Sequence, residues 1–289
     1  NFRKTGNGNI LGDIDVADLT VTNRDSTMNI GNMNLTSLSS DDVYKMRFRS
    51  QFADASFTGT APVTKFAKDL ISLTAKREIP ALFSNPGSSW DGNSYNVDIC
   101  THDSRTFLAF IMPGAYIHSG TQVHLGIDSN GNLSSSLNSQ RIALKANNFQ
   151  HLKAEFDNNE STFKGEISSS EAELAGFALN DNHLKFLADD NHIGLSYSYD
   201  NHSDMENRGE LVINGSLSRE DDILNVGITL LPSTLYFNSE EWNILPSNLR
   251  IRDKDIIIDS FEAVNGDQRL YAYGKTSQTR TDTLTFGLD

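Results

Sequence analysis

Apolar side chains return at every second position along much of this chain, most regularly between residues 209 and 274. Leu211, Ile213 and Leu217 do so in one run, Val226, Ile228 and Leu230 in the next, and Ile256 and Ile258 in a third. A two-residue period belongs to a strand with one dry and one wet face. On that spacing Leu211, Ile213, Val226, Ile228, Ile256, Ile258 and Leu270 line one apolar face, while Thr229, Ile257 and Asp259 point the other way. Polar clusters such as Ser218–Asp222 and Asn265–Asp267 turn the chain about every ten residues, which leaves no room for crossover helices and predicts an antiparallel meander.

A first block of the same kind spans residues 10 to 59, with Ile14, Val16, Met46, Phe48, Phe52 and Phe57 among its apolar positions and with slips of phase that call for turns or bulges. One helix comes next, near residues 62–76. Val63, Phe66, Ala67, Leu70, Ile71 and Thr74 fall at helical spacing, Pro62 suits a first turn, and Pro80 ends the segment after the helix. No second helix of comparable strength is expected. Residues 1–83 therefore read as an N-terminal β block with its helix, residues 84–94 as a loop, and residues 95–289 as a continuous meander. Asn130-Gly131 marks a tight hairpin between Val123–Ile127 and Leu133–Leu137. The strands number roughly twenty, more than a flat open sheet usually holds, so the sheet must curl or split into layers. A closed β-sandwich is the alternative.

Composition narrows the class. Among 289 residues, 37% are hydrophobic, with 20 Gly and only 6 Pro, which fits a folded β-protein with polar turns. The net charge of -14 argues against nucleic acid as a partner, since a phosphate-tracking surface concentrates Lys and Arg. The single Cys100 forms no internal disulfide. No stretch reaches the ~20 apolar residues of a membrane-spanning helix, and none reads as a signal peptide. The chain opens on Asn1-Phe2 and stops at Leu288-Asp289 inside an alternating run, so it is expected to be a piece of a longer protein.

Catalytic and cofactor motifs are missing, and neither an enzymatic activity nor a cofactor is expected. Gly6-Asn-Gly8-Asn-Ile-Leu-Gly12 places its last glycine one residue late for a dinucleotide fingerprint and precedes a meander. Asp-Asn-His occurs three times, at 181–183, 190–192 and 200–202. Successive turns of a meander lie at opposite ends of the sheet, so His192 should stand apart from His183 and His202, and turn formation explains the repeat better than a metal site. Asp128-Ser-Asn130-Gly-Asn132 lacks the terminal Glu of a calcium loop. Glu240 and Glu241, as strand neighbours, point to opposite faces and cannot act on one substrate together. Trp90, in a Gly/Ser-rich loop, offers a ring on which a sugar can stack, whereas Trp242 reads as a packing anchor.

The run Met46–Gly59, the helix next to it that ends near Ile79–Phe83, then Pro232-Ser233, Trp242, Pro246 and Asp267–Gly274 resemble the interior of a TamB-type translocation and assembly protein. That group belongs with the AsmA-like, bridge-like lipid-transfer proteins. The resemblance implies a taco-shaped β groove in the periplasm, carried by a full-length protein anchored in the inner membrane, that conducts phospholipid between inner and outer membranes and supports outer-membrane biogenesis. It also implies a TamA-like barrel partner in the outer membrane, engaged through a part of the protein beyond this one. On this expectation Leu211, Ile213, Val226, Ile228, Ile256, Ile258 and Leu270 bind acyl chains. The alternative function is a surface carbohydrate-binding or adhesive β-sandwich.

Overall fold

The computed structural model describes residues 2–4, 10–22, 27–84, 90–158, 162–174, 176–276 and 282–289. The chain is nearly all β, and every described strand pairing is antiparallel. In chain order the elements are β1 (Phe2–Lys4), β2 (Ile10–Thr22), β3 (Thr27–Ser40), β4 (Val43–Ser50), β5 (Ala53–Gly59), α1 (Val63–Ile71), β6 (Tyr95–Thr101), α2 (Arg105–Ile111), β7 (Ala115–Ile117), β8 (Gln122–Ile127), β9 (Leu133–Leu144) and β10 (Asn147–Asp157). They continue as β11 (Phe163–Leu174), β12 (Phe177–Asp189), β13 (His192–Asp200), β14 (Arg208–Glu220), β15 (Ile223–Leu230), β16 (Ser233–Phe237), β17 (Glu240–Ile244), β18 (Ser247–Arg252), β19 (Asp255–Asn265), β20 (Gln268–Thr276) and β21 (Leu284–Leu288).

Contacts group these elements into two compact units interleaved in sequence. One holds residues 1–71, 89–159 and 169–178, the other 72–88, 160–168 and 179–289. The stretch 95–289, expected as one meander, is thus shared between both. The 84–94 loop contains one of the crossing points, with 85–89 outside the described residues.

In the first unit the strands pair in the order β1-β2-β3-β4-β5-β6-β8-β9-β10, with β7 on the same edge of β9 as β8. Paired residues share a face, so the register traces one apolar row through Leu35, Phe48, Ala55, Ile99, Val123, Leu137 and Ala154. Two helices pack on this side. Phe66 of α1 meets Tyr95 edge-on at 5.3 Å and Phe57 at 6.1 Å. The ring of Phe107 in α2 stacks on Phe52 at 3.9 Å, and Leu108 is buried beside it.

The helix expected near residues 62–76 forms, and a second one joins it. The regular α-helix ends at Ile71, and a π-helical turn takes over from Ser72 to Lys76. Within α1 the expected apolar stripe is turned partly outward, with Val63 and Ile71 exposed. Its buried residue is Asp69, whose carboxylate accepts hydrogen bonds from Tyr95 Oη (2.6 Å), Asn93 Nδ2 (3.0 Å) and Lys65 Nζ (2.8 Å). A polar anchor therefore orients the helix, and periodicity of apolar residues is blind to it. The second helix, α2, is a shorter one that the sequence does not single out: Phe107-Leu-Ala-Phe-Ile111 is a short, unbroken apolar run, which period alone does not separate from a buried strand.

In the second unit the order is β12-β13-β14-β15-β18-β19-β20-β21. The β16–β17 hairpin connects β14 to β19 beyond the ends of β15 and β18. Tight turns set this register. Asp190-Asn191, Asp221-Asp222 and Asn238-Ser239 are two-residue loops with both residues at positive φ, between 40° and 66°. Such left-handed pairs match the twist of the flanking strands, and Asp and Asn tolerate them.

Candidate functional site

Register decides whether the seven expected wall residues share a face. Ile213 stands opposite Leu230, Val226 opposite both Leu217 and Ile251, and Ile228 opposite Leu249. Ile251 in turn faces Ile256, and Leu249 faces Ile258. Leu211 lies one period from Ile213 on β14. A bulge at Asp259-Ser260 then shifts β19 by one residue, so that Phe261 and Ala263, rather than even-numbered positions, continue the same face. Ala263 pairs with Leu270. All seven residues lie on one face of the second unit's sheet, and Leu195, Leu217, Leu249 and Ile251 complete its apolar rows.

Burial along that face is uneven. At one end Leu235, Ile244 and Ala263 are buried together, with Leu211, Leu230, Trp242 and Phe261 packed around them. At the other, Ala188 and Leu217 are buried beneath Ile79, with Phe186, Ile193 and Val226 alongside. Elsewhere on the face Ile213, Ile228, Leu249, Ile251, Ile256 and Ile258 are only half-buried, and Leu270 is 41% exposed. The opposite face is polar. Thr229 Oγ1 donates to Asn248 Oδ1 at 2.9 Å, Arg250 pairs with Asp259 at 2.6 Å, and Ile257 lies in register between Arg250 and Lys275.

The polar side of the first unit carries a furrow of about 670 Å³ that crosses from β4 to β10. Its walls are the rows beginning Arg47-Ser56-Asp98-His124 and Arg49-Asp54-Cys100-Gln122. Asp98 is its most engaged group. His124 Nδ1 lies 2.8 Å from Asp98 Oδ1, while Ser56 Oγ (3.3 Å) and Asn96 Nδ2 (2.8 Å) donate to Oδ2, and the His124 contact holds the Asp98 carboxyl below its ordinary range. Ser56 thus bonds to the carboxylate and not to the imidazole, which is no nucleophile–base geometry. Alternation places these residues on the wet face, but only the pairing brings the rows together.

The three Asp-Asn-His copies separate as a meander requires. His202 Nε2 bonds to Asp181 Oδ2, and His202 Nδ1 is 3.5 Å from Asp200, so the first and third copies meet. Asp181 holds the His202 imidazole above its usual value. His183 lies 4.0 Å from Glu166. His192 sits at the far end of β13, beside the Asp190-Asn191 turn. Among the described residues no group of three or more His, Cys, Asp or Glu is placed to hold a metal ion. In the Asp128 loop the carboxylate accepts from the amides of Asn130 and Asn132 at 2.8 and 2.9 Å, and Gly131 takes φ 83°. The Gly6–Gly12 run lies mostly outside the described residues. Trp90 donates its indole N–H to the Ser129 carbonyl at 3.0 Å, and Trp242 packs in the Leu235 cluster.

Comparison of the chain with protein-family models, with curated proteins and with solved structures finds no match. No described helix is long and apolar enough to cross a membrane.

Proposed function

We propose that this chain is a lipid-conducting segment of an envelope-spanning protein of the TamB-like kind, and that acyl chains lie along the apolar face of its second unit. One observation carries the proposal. Ile, Leu and Val line that face across β14, β15, β18 and β19, yet outside the two buried clusters their side chains are only half-buried. The core of a closed sandwich would bury them. A diacyl phospholipid taken from a bilayer exposes about 30 methylenes at about 0.8 kcal/mol each, and a wall of this kind offsets much of that cost without any catalytic group. In this role the protein acts in the periplasm between inner and outer membranes, takes phospholipid as its ligand and contributes to outer-membrane biogenesis with a TamA-like barrel partner engaged through the full-length protein.

The decisive measurement is photo-crosslinking in cells from single positions on the two faces. Groups at Ile228 and Ile258 should capture phospholipid, and groups at Thr229 and Asp259 should not. Equal capture from both faces, or none from either in folded protein, would remove the conduit.

A further inference from the structure

Glu78 to Leu82 lies across one end of the apolar wall, and its contacts are unlike those of ordinary core. Ile79 is buried against Ala188 and Leu217, and Val226, one of the wall residues, packs against the same cluster. The seat under Ile79 is therefore a continuation of the wall. The segment is held down by side chains from two hairpins. Ala81 N donates to Asn191 Oδ1 at 2.7 Å, and Asn191 N donates to the Glu78 carbonyl at 2.7 Å. The Arg219 guanidinium donates to the carbonyls of Ala81 (3.0 Å) and Leu82 (3.3 Å) and, from its remaining nitrogen, to Asp222 (2.7 Å). Asn191 belongs to a turn and Arg219, near the end of β14, reaches the segment through its side chain alone, so removing either side chain leaves the strand ladder intact. Beside Ile79, Glu78 is only 3% exposed, and its carboxylate pairs at 2.5 Å with its neighbour Arg77. A buried carboxylate opposes docking through its desolvation, and a segment selected only to fill a core has no use for one.

We propose that Glu78–Leu82 is a displaceable strap occupying an acyl-chain subsite, with Ile79 seated where a lipid tail binds once the strap lifts. This rests on the lipid-conducting role proposed above. The aliphatic Ile79 side chain and an acyl terminus make the same demand on the seat formed by Ala188, Leu217 and Val226: apolar contact without a polar partner. Entry of a tail at this end requires the strap to leave, and departure returns Glu78 to water.

The test uses the full chain with a photo-crosslinking group at Val226, beneath the strap, or at Ile258, away from it. Each form is mixed with vesicles of phosphatidylethanolamine and phosphatidylglycerol carrying a radiolabelled phospholipid. Arg219→Ala should raise lipid capture at Val226 several-fold and leave capture at Ile258 unchanged. A closing disulfide, made as Ala81→Cys with Asn191→Cys in a Cys100→Ser background, should suppress capture at Val226 until reductant is added. That second arm decides the matter if Arg219→Ala fails to fold. Capture at Ile258 together with a Val226 signal indifferent to both changes would overturn the strap and leave the conduit standing. Absence of capture at Ile258 in every form would overturn both.

Discussion

Ile228 on β15 stands directly opposite Leu249 on β18, and Leu249 stands opposite Ile258 on β19, which makes three distant segments one apolar row. A charge in that row should interrupt a lipid path while sparing the fold, because these side chains are only half-buried and water can reach the carboxylate. Ile228→Asp or Ile258→Asp is therefore expected to abolish lipid capture and to cost about 1–3 kcal/mol of stability. Thr229→Asp, on the polar face, should leave capture as it is. Lipid co-purification and denaturant melts on the three variants would check this, and loss of capture by Thr229→Asp would count against a one-sided path.

Asp69 makes the first unit's stability dependent on acid. Burial pushes its carboxyl up, but the hydrogen bonds from Lys65, Tyr95 and Asn93 outweigh that and leave it below the ordinary carboxylate value. A depressed folded-state value contributes stability that is present above the unfolded pKa and lost as pH falls through the folded one. Tyr95→Phe should cost about 1–2 kcal/mol near neutral pH. Asp69→Asn should lose more and flatten the acid limb of the stability curve below about pH 4. An acid limb unchanged in Asp69→Asn would contradict the anchor.

Glu78 has the opposite sign. Its burial raises the carboxyl above the ordinary value despite Arg77, so its contribution is fully present below the unfolded pKa and is lost as pH rises through the folded value. Glu78→Gln should accordingly stabilise the protein near neutral pH and make little difference in mild acid. Thermal melts across that range are sufficient. Destabilisation at pH 7 would mean that the Arg77 pair outweighs the desolvation of the carboxylate.

Chelation should leave the melting temperature unchanged, because His192 stands at the opposite end of β13 from the Asp181–His202 contact. The same contact predicts that the His202 imidazole titrates above a free histidine and that Asp181→Asn lowers it. Proton NMR titration reads this directly. A zinc-dependent melt would refute the turn-forming role of the repeat.

Strand alternation named the wall residues and gave those of each strand a common side, since side-chain direction in a strand is set by backbone geometry with a period of two. The turns were equally legible: Asp190-Asn191 and Asp221-Asp222 are residues that accept left-handed backbone at little cost. Four features depended on tertiary structure because they join residues far apart in the chain. The bulge at Asp259-Ser260 keeps Phe261 and Ala263 on the apolar face against the local period, and only the partner strands select its position. Asp69 reads as a surface residue of an amphipathic helix until Tyr95 and Asn93 reach it. The helix α2 takes shape where Phe107 finds Phe52, a contact that no seven-residue run contains. And Asn191, legible as a turn residue, holds the backbone of Glu78 and Ala81 only because the fold brings the strap to it, so the cover over the apolar wall was decided by packing while the wall itself was written in the period of the chain.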